Sequence, residues 1–273
     1  LCQKKMSELG ITELHGLQSN LIAHMGKFLE AHGRQLIGWD EVIDKNLSKN
    51  TTVMVWRSAD FAADAVRNGY DVILSPGTHC YLDFYQDAPD RQPEAIGGFT
   101  TLEKVYSFVP GDNLSASERA AHVKGVQGNL WTEYVPTPAH AESMLYPRML
   151  ALAEIGWNGT AVKDYPSFRR RALKEVRYLR ANGVNAFDLD HEVGDRAETQ
   201  TDVKHLARGC RVTYAPEAHY YTKAYAAAGD VSMTDGKRGG WNNNDGRWQG
   251  FIDGKQYRFD VTIDLGAAKR FST

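Results

Sequence analysis

The sequence predicts an α/β domain on a parallel sheet, part of a TIM-type (β/α)8 barrel, followed by a truncated all-β sandwich. Three observations predict it. Strand-like and helix-like segments alternate through roughly the first 160 residues, the order that crossover connections between parallel strands produce. No phosphate-cradling Gly-x-Gly-x-x-Gly joins a strand to a helix, which points to a barrel rather than a dinucleotide fold. From about Asp188 the chain turns polar and glycine-rich, then β-like.

Taken in order, Leu17, Leu21, Ile22, Met25, Phe28 and Leu29 recur at helical spacing, so a helix runs over 14–32 and Gly33 stops it. Residues 34–40 form a short buried strand ending at Trp39-Asp40. A second strand covers 51–56, a helix 59–68 closed by Gly69, and a third strand 71–75 stopped by Pro76-Gly77. Residues 76–122 hold no further strong strand, and a connection that long carries function or small elements of its own. The fourth strand is expected over 124–131, one long helix over 139–157, and a basic amphipathic helix over 165–182 ended by Gly183. Residues 1–187 thus make the first domain and 188–210 a linker. Residues 211–273 make the β module, with Arg211-Val-Thr-Tyr214 as a strand, Asn242-Asn-Asn-Asp-Gly246 as a turn, and Phe259 to Leu265 alternating as a half-buried strand does.

Composition removes several function classes. A net charge of −2 offers nothing to attract nucleic acid. The nine histidines show no His-x-His or His-Glu-x-x-His, and the three cysteines (Cys2, Cys80, Cys210) are far apart, so neither a metal site, a cofactor nor a disulfide framework is expected. No apolar run approaches the roughly 20 residues of a membrane span. The chain opens at Leu1 and closes just after a strand, and both ends read as cuts.

The chemistry gathers at the strand ends, where barrels of this kind keep their sites. They carry Trp39-Asp40-Glu41, Trp56-Arg57 and Trp131-Thr132-Glu133, with Tyr81-Leu-Asp83 after the third strand. A sugar ring has apolar C–H faces and a rim of hydroxyls. Aromatic walls suit the faces, and carboxylates accept from the rim in charge-assisted hydrogen bonds. One Trp at a strand end is more often core packing than a ligand wall. Three at equivalent ends, each beside a charge, favour a site. Trp157, at a helix end after Leu152 and Ile155, reads as packing. Of the adjacent Asp40 and Glu41, at most one points inward if the strand continues. Residue types alone suggest a two-carboxylate glycosidase with Glu41 and Glu133 as the pair. They do not say which group is acid, nucleophile or hydroxyl acceptor, and a closed barrel would need eight strands where four are legible.

The segments Gly38-Trp-Asp-Glu-Val42, Val55-Trp-Arg-Ser58, Leu74-Ser-Pro76, Tyr81-Leu-Asp-Phe-Tyr-Gln86, Gly125-Val-Gln-Gly-Asn-Leu-Trp-Thr-Glu133, Met144-Leu-Tyr-Pro-Arg148 and Ala151-Leu-Ala-Glu154 together resemble the β-N-acetylhexosaminidases of glycoside hydrolase family 20, over about residues 1–160. The resemblance implies that the four strands are strands five to eight of the catalytic barrel. It implies a substrate-assisted mechanism that removes terminal β-linked GlcNAc or GalNAc from glycans, one of the exceptions to the two-carboxylate scheme. In that scheme Trp39, Trp56 and Trp131 wall the acetamido group and ring, Tyr81 stabilises the acetamido oxygen as it attacks, and Asp83 and Glu133 accept the outer hydroxyls. The family's Asp-Glu pair sits in His-x-Gly-Gly-Asp-Glu. No Gly-Gly-Asp-Glu occurs in this sequence, so the pair is expected upstream of Leu1 and the 273-residue chain is expected to lack hydrolytic activity. Where the family has Trp-Arg-Gly, this chain has Trp56-Arg57-Ser58. A secreted, periplasmic or cell-surface location goes with the family. Met233-Thr-Asp-Gly236, Gly246-Arg-Trp-Gln-Gly-Phe251 and Val261-Thr-Ile-Asp-Leu-Gly266 resemble discoidin-like (factor 5/8 type C) modules. Trp241 and Trp248 are its candidate ligand aromatics, with core packing the expectation for Trp248. The alternative function is a carbohydrate-binding protein without chemistry.

Overall fold

The computed structural model describes residues 1–44, 47–159, 163–215, 219–220, 227, 232–252 and 260–270. Contacts divide the chain into two compact units, residues 1–86 with 100–190, and residues 87–99 with 191–273.

The first unit opens with α1 (Cys2–Leu9) and α2 (His15–Ala31), followed by β1 (Ile37–Trp39), β2 (Thr52–Val55), α3 (Ala59–Arg67) and β3 (Asp71–Leu74). Short helices α4 (Gly77–Cys80), α5 (Leu102–Ser107) and α6 (Ala116–His122) fill the long connection to β4 (Val123–Val126). Then come α7 (Pro138–Leu145), α8 (Arg148–Asn158) and α9 (Tyr165–Ala181). The strands form one parallel sheet in the order β1-β2-β3-β4. Four strands among the described residues fall short of the eight that the reading with Glu41 and Glu133 as a catalytic pair requires.

Val53 and Val55 of β2, and Val72 and Leu74 of β3, are buried against Ala62, Ala63, Ala65 and Val66 of α3. Burial of each Val or Leu contributes about 1.5–3 kcal/mol. The small residues on α3 let the helix lie close to the sheet. α6 is held at its start by a capping box in which Ser115 accepts from the Glu118 N–H and the Glu118 carboxylate accepts from the Ser115 N–H.

Four expectations need correction. The first strand ends at Trp39, and Asp40–Val42 turn as a 3-10 helix. The turn folds Val42 back onto Gly38 so closely that a Cβ there would meet Val42 Cγ1 at 2.7 Å. The fourth strand ends at Val126; beyond it, among the described residues, Asn129 bridges to Tyr81. Gly128 passes there against Leu152 and Leu82, where a Cβ would stand 2.7 Å and 3.0 Å from their methyls. The long helix is two, α7 and α8, because Pro147 has no N–H to continue the ladder. Trp157 is 91 % exposed, not packed, because it lies on the face of α8 opposite the buried Ala151, Leu152 and Ile155. α1 was invisible to the pattern because it buries no residue.

The second unit contains β5 (Arg211–Ala215), β6 (His219–Tyr220), β7 (Phe251–Ile252) and β8 (Asp260–Asp264). β5 pairs antiparallel with β8, and β6 with β7. Phe259, the expected start of the last strand, lies outside the described residues. Asp87 accepts from the Val193 and Gly194 N–H groups, both at 2.8 Å, and Trp241 Nε1 donates to the Gly194 carbonyl at 3.0 Å. Trp248 is 37 % exposed and donates through Nε1 to the Gly240 carbonyl, so it is a surface group and not core. Arg196 lies 5.6 Å from the Trp241 ring and 6.0 Å from that of Trp248. No helix among the described residues is long and apolar enough to cross a membrane.

Candidate active site

Parallel strands end on one side of their sheet, so side chains far apart in sequence meet there. Trp39, Trp56, Tyr81 and Trp131 line one cleft of about 610 Å³, together with Gln18, Ile22 and Glu41. Their rings form a chain. Trp39 and Trp131 stand 5.8 Å apart, Trp131 and Tyr81 6.4 Å, and Tyr81 and Trp56 6.3 Å, all tilted. Trp131 is 40 % exposed, so the wall faces solvent rather than core. Phe84 extends it, 5.6 Å from Tyr81. The sequence reading missed Phe84, although it sits inside the Tyr81–Gln86 motif.

Asp40 and Glu41 both act on the wall. Asp40 is 1 % exposed. Its Oδ2 accepts from the Trp56 and Arg57 N–H groups at 3.0 Å and 3.2 Å, and its Oδ1 pairs with Arg57 Nε. Glu41 accepts from Trp56 Nε1 with both oxygens at 3.1 Å. The expectation that only one of the two points inward assumed a continuing strand. The 3-10 turn removes the alternation, and the two carboxylates grip the backbone and the indole of Trp56. A hydrogen bond to a charged group contributes about 1.5–3 kcal/mol.

Tyr81 has its pKa raised, by burial first and then by the Asp83, Asp40 and Glu41 charges, with the Trp131 indole opposing. Its hydroxyl is therefore neutral and able to donate at neutral pH. Asp83 is 3 % exposed, and its Oδ1 is buried with no hydrogen-bond partner among the described residues. Burial pushes its carboxyl up and the nearby Glu133 adds to this, while Arg148 opposes. Glu133 is exposed and does not line the cleft. It reaches the group through its charge on Asp83 rather than as a wall.

Two features had no role assigned from the sequence, although Arg148 closes the Met144-Leu-Tyr-Pro-Arg148 motif. Arg148 of α8 is buried beneath the Tyr81–Gln86 segment and donates to the carbonyls of Leu82 and Phe84. A second cavity of about 290 Å³ lies beside the ends of β2 and β3, lined by residues including Arg57, His79, Phe108 and Asp112. His79 stacks on Phe108 at 5.4 Å, and burial, then the Lys104 and Lys163 charges, push its pKa down to about 4. Among the described residues no group of three or more His, Cys, Asp or Glu could hold a metal ion.

An aromatic cleft at the open ends of a parallel sheet, with the buried Asp83 carboxylate outside its lining but acting on its Tyr81, is suited to the apolar faces and hydroxyl rim of a sugar. Residues 1–160 match the model of glycosyl hydrolase family 20, catalytic domain. The chain belongs to that family. A β-hexosaminidase of Porphyromonas gingivalis is 41 % identical over 186 residues, which are 68 % of this chain and 24 % of that protein. A β-hexosaminidase of Vibrio furnissii is 36 % identical over 159 residues, 57 % of this chain and 26 % of its own. The chain thus spans about a quarter of the length of these curated relatives. Among solved structures, the family 20 exo-β-N-acetylglucosaminidase of Vibrio harveyi in complex with N-acetylglucosamine superposes with a TM-score of 0.62 and 31 % identity, over 69 % of this chain and 30 % of that one.

Proposed function

We propose that this chain is part of a β-N-acetylhexosaminidase that releases terminal, non-reducing β-linked GlcNAc or GalNAc from glycans. The observation that carries the reading is the wall of Trp39, Trp131, Tyr81 and Trp56, near a buried Asp83 oxygen that has no hydrogen-bond partner among the described residues. Family membership and the hexosaminidase relatives support it. In this reading β1 to β4 are strands five to eight of the family's barrel, which their parallel order supports.

The indoles of Trp39, Trp56 and Trp131 enclose the acetamido group and the sugar's C–H face, excluding water and strengthening the polar contacts inside. The acetamido oxygen attacks the anomeric carbon as the glycosidic C–O bond breaks. The leaving oxygen takes a proton from a Glu supplied, with its Asp partner, from outside these 273 residues. The Tyr81 hydroxyl donates to the acetamido region, where charge changes most between ground and transition state, so its contribution acts on rate. Asp83 and Glu133 accept from the outer hydroxyls. Water then opens the oxazolinium ring and returns the proton to the Glu, with retention at the anomeric carbon. No step needs a metal or an organic cofactor.

The same reading makes the antiparallel pairs of the second unit the start of a discoidin-like module, and places the whole protein in a secreted, periplasmic or cell-surface compartment. The half-exposed Trp248 beside Arg196 favours one alternative, a carbohydrate-binding protein without chemistry.

Tryptophan-fluorescence titration of the 273-residue polypeptide with N-acetylglucosamine, beside an aryl N-acetylglucosaminide turnover assay, tests the reading. Binding lost in Trp131→Ala, with no turnover, is expected. Binding that survives Trp131→Ala but fails in Trp248→Ala would move recognition to the second unit. Turnover by the isolated polypeptide would remove the argument for an acid supplied from elsewhere.

A further inference from the structure

Arg148 opens α8 and is 0 % exposed. All five of its N–H groups are used, and every acceptor is a main-chain carbonyl. Nε donates to Met144 at 3.1 Å, Nη2 to Met144 at 2.7 Å and Leu82 at 2.5 Å, and Nη1 to Phe84 at 3.0 Å and Thr100 at 2.9 Å. Leu82 and Phe84 are the two chain neighbours of Asp83. The Leu82 carbonyl lies in the peptide plane that precedes Asp83 and the Phe84 carbonyl in the plane that follows Phe84, and one planar guanidinium ties both, so the main chain is held on each side of Asp83. An ammonium group has three donors around a point and cannot reproduce that fork.

Carbonyls satisfy donors but leave a full positive charge inside the protein, which is unfavourable unless a negative charge faces it. Burial pulls the Arg148 pKa down to about 9, and the Asp83 charge opposes this. Around Asp83 stand Arg148 from α8, which favours its ionised form, and Glu133 from the segment after β4, which opposes it, with the Tyr81 phenol nearby. Asp83 Oδ1 is buried and unpartnered among the described residues. A buried acceptor in that state is one a ligand hydroxyl would complete.

We propose that Arg148 is a positioning residue for sugar recognition: it locks the Leu82–Phe84 main chain so that Asp83 presents its Oδ1 to a ligand hydroxyl, and it sets a buried positive charge near that carboxylate. The inference rests on the reading of the cleft as an amino-sugar site. The effect of Arg148 on Asp83 itself does not, which makes the two separable.

The test labels aspartate carboxyls with 13C in the 273-residue polypeptide, assigns Asp83 through Asp83→Asn, and follows its titration by NMR in wild type, Arg148→Met and Arg148→Lys. Each folded protein is also titrated with N-acetylglucosamine across pH. The Asp83 midpoint is expected to rise by about one pH unit or more in Arg148→Met and to stay within about 0.3 unit in Arg148→Lys, which keeps the charge. Affinity is expected to fall about tenfold or more in both, as donors to the Asp83 segment are lost. Only in Arg148→Met should the acid limit of binding move to higher pH. An unmoved Asp83 midpoint in folded Arg148→Met overturns the electrostatic role, and wild-type affinity in Arg148→Lys overturns the positioning role. Should neither variant fold, the wild-type Arg148 15Nε resonance must shift through the Asp83 midpoint, and a flat response overturns the coupling. Wild-type protein that binds no N-acetylglucosamine counts against the proposed function alone, and the carboxyl titration still decides whether Arg148 governs Asp83.

Discussion

Asp40 is the residue on which the shape of the aromatic wall depends, and replacing it gives a measurable prediction. Its carboxylate accepts from two main-chain N–H groups, those of Trp56 and Arg57, and pairs with Arg57 Nε while only 1 % exposed. Asp40→Ala leaves both N–H groups without their acceptor, at about 1–3 kcal/mol for each buried donor left unmade. The lost ion pair adds little, since the Arg57 side chain is 35 % exposed and water screens it. The expected loss of stability is about 3–5 kcal/mol. Asp40→Asn keeps one acceptor oxygen and should lose about half as much. Asp64→Asn, in an exposed pair with Arg67 at 3.7 Å, is the control and should cost under about 0.5 kcal/mol. Urea unfolding followed by tryptophan fluorescence measures all three variants against wild type. A loss below about 1 kcal/mol in Asp40→Ala would refute the argument, because water would then be replacing the carboxylate at a site the structure shows as closed.

Gly38→Ala would drive a methyl to 2.7 Å from Val42 Cγ1, so it should destabilise by about 1–3 kcal/mol, and Val42→Ala in the same chain should recover part of that in the same urea assay. His79 has a folded-state pKa of about 4, below its ordinary 6.5, so its contribution is complete above pH 6.5 and is lost as pH falls from there towards 4. His79→Gln should flatten that part of the stability–pH curve, and an unchanged curve would show that His79 titrates as an exposed group does. β1 and β4 are the edge strands of the sheet among the described residues, and Leu21, Met25, Phe28 and Ile37 are exposed. The 273-residue polypeptide should therefore self-associate in sedimentation experiments, and a monodisperse monomer with one sharp melting transition would count against this.

The sequence by itself determined the order of the four strands and of α2, α3 and α9 in the first unit, because burial on a parallel sheet demands continuous apolar runs such as residues 53–55 and 72–74. It also determined that Trp39, Trp56, Tyr81 and Trp131 would share one cleft, since parallel strands bring their ends to one side. Periodicity reports which face a residue occupies, not which partner it meets. That is why Trp157 read as packed although its side of α8 is open to water, and why Asp40 and Glu41 read as alternatives although a 3-10 turn makes both engage Trp56. The Arg148 clamp links positions 64 and 66 residues apart through carbonyls, groups that every residue carries and no motif can mark. Only the tertiary structure could select Leu82 and Phe84 from among them, because hydrogen bonds to main chain depend on where segments cross and not on which side chains they carry.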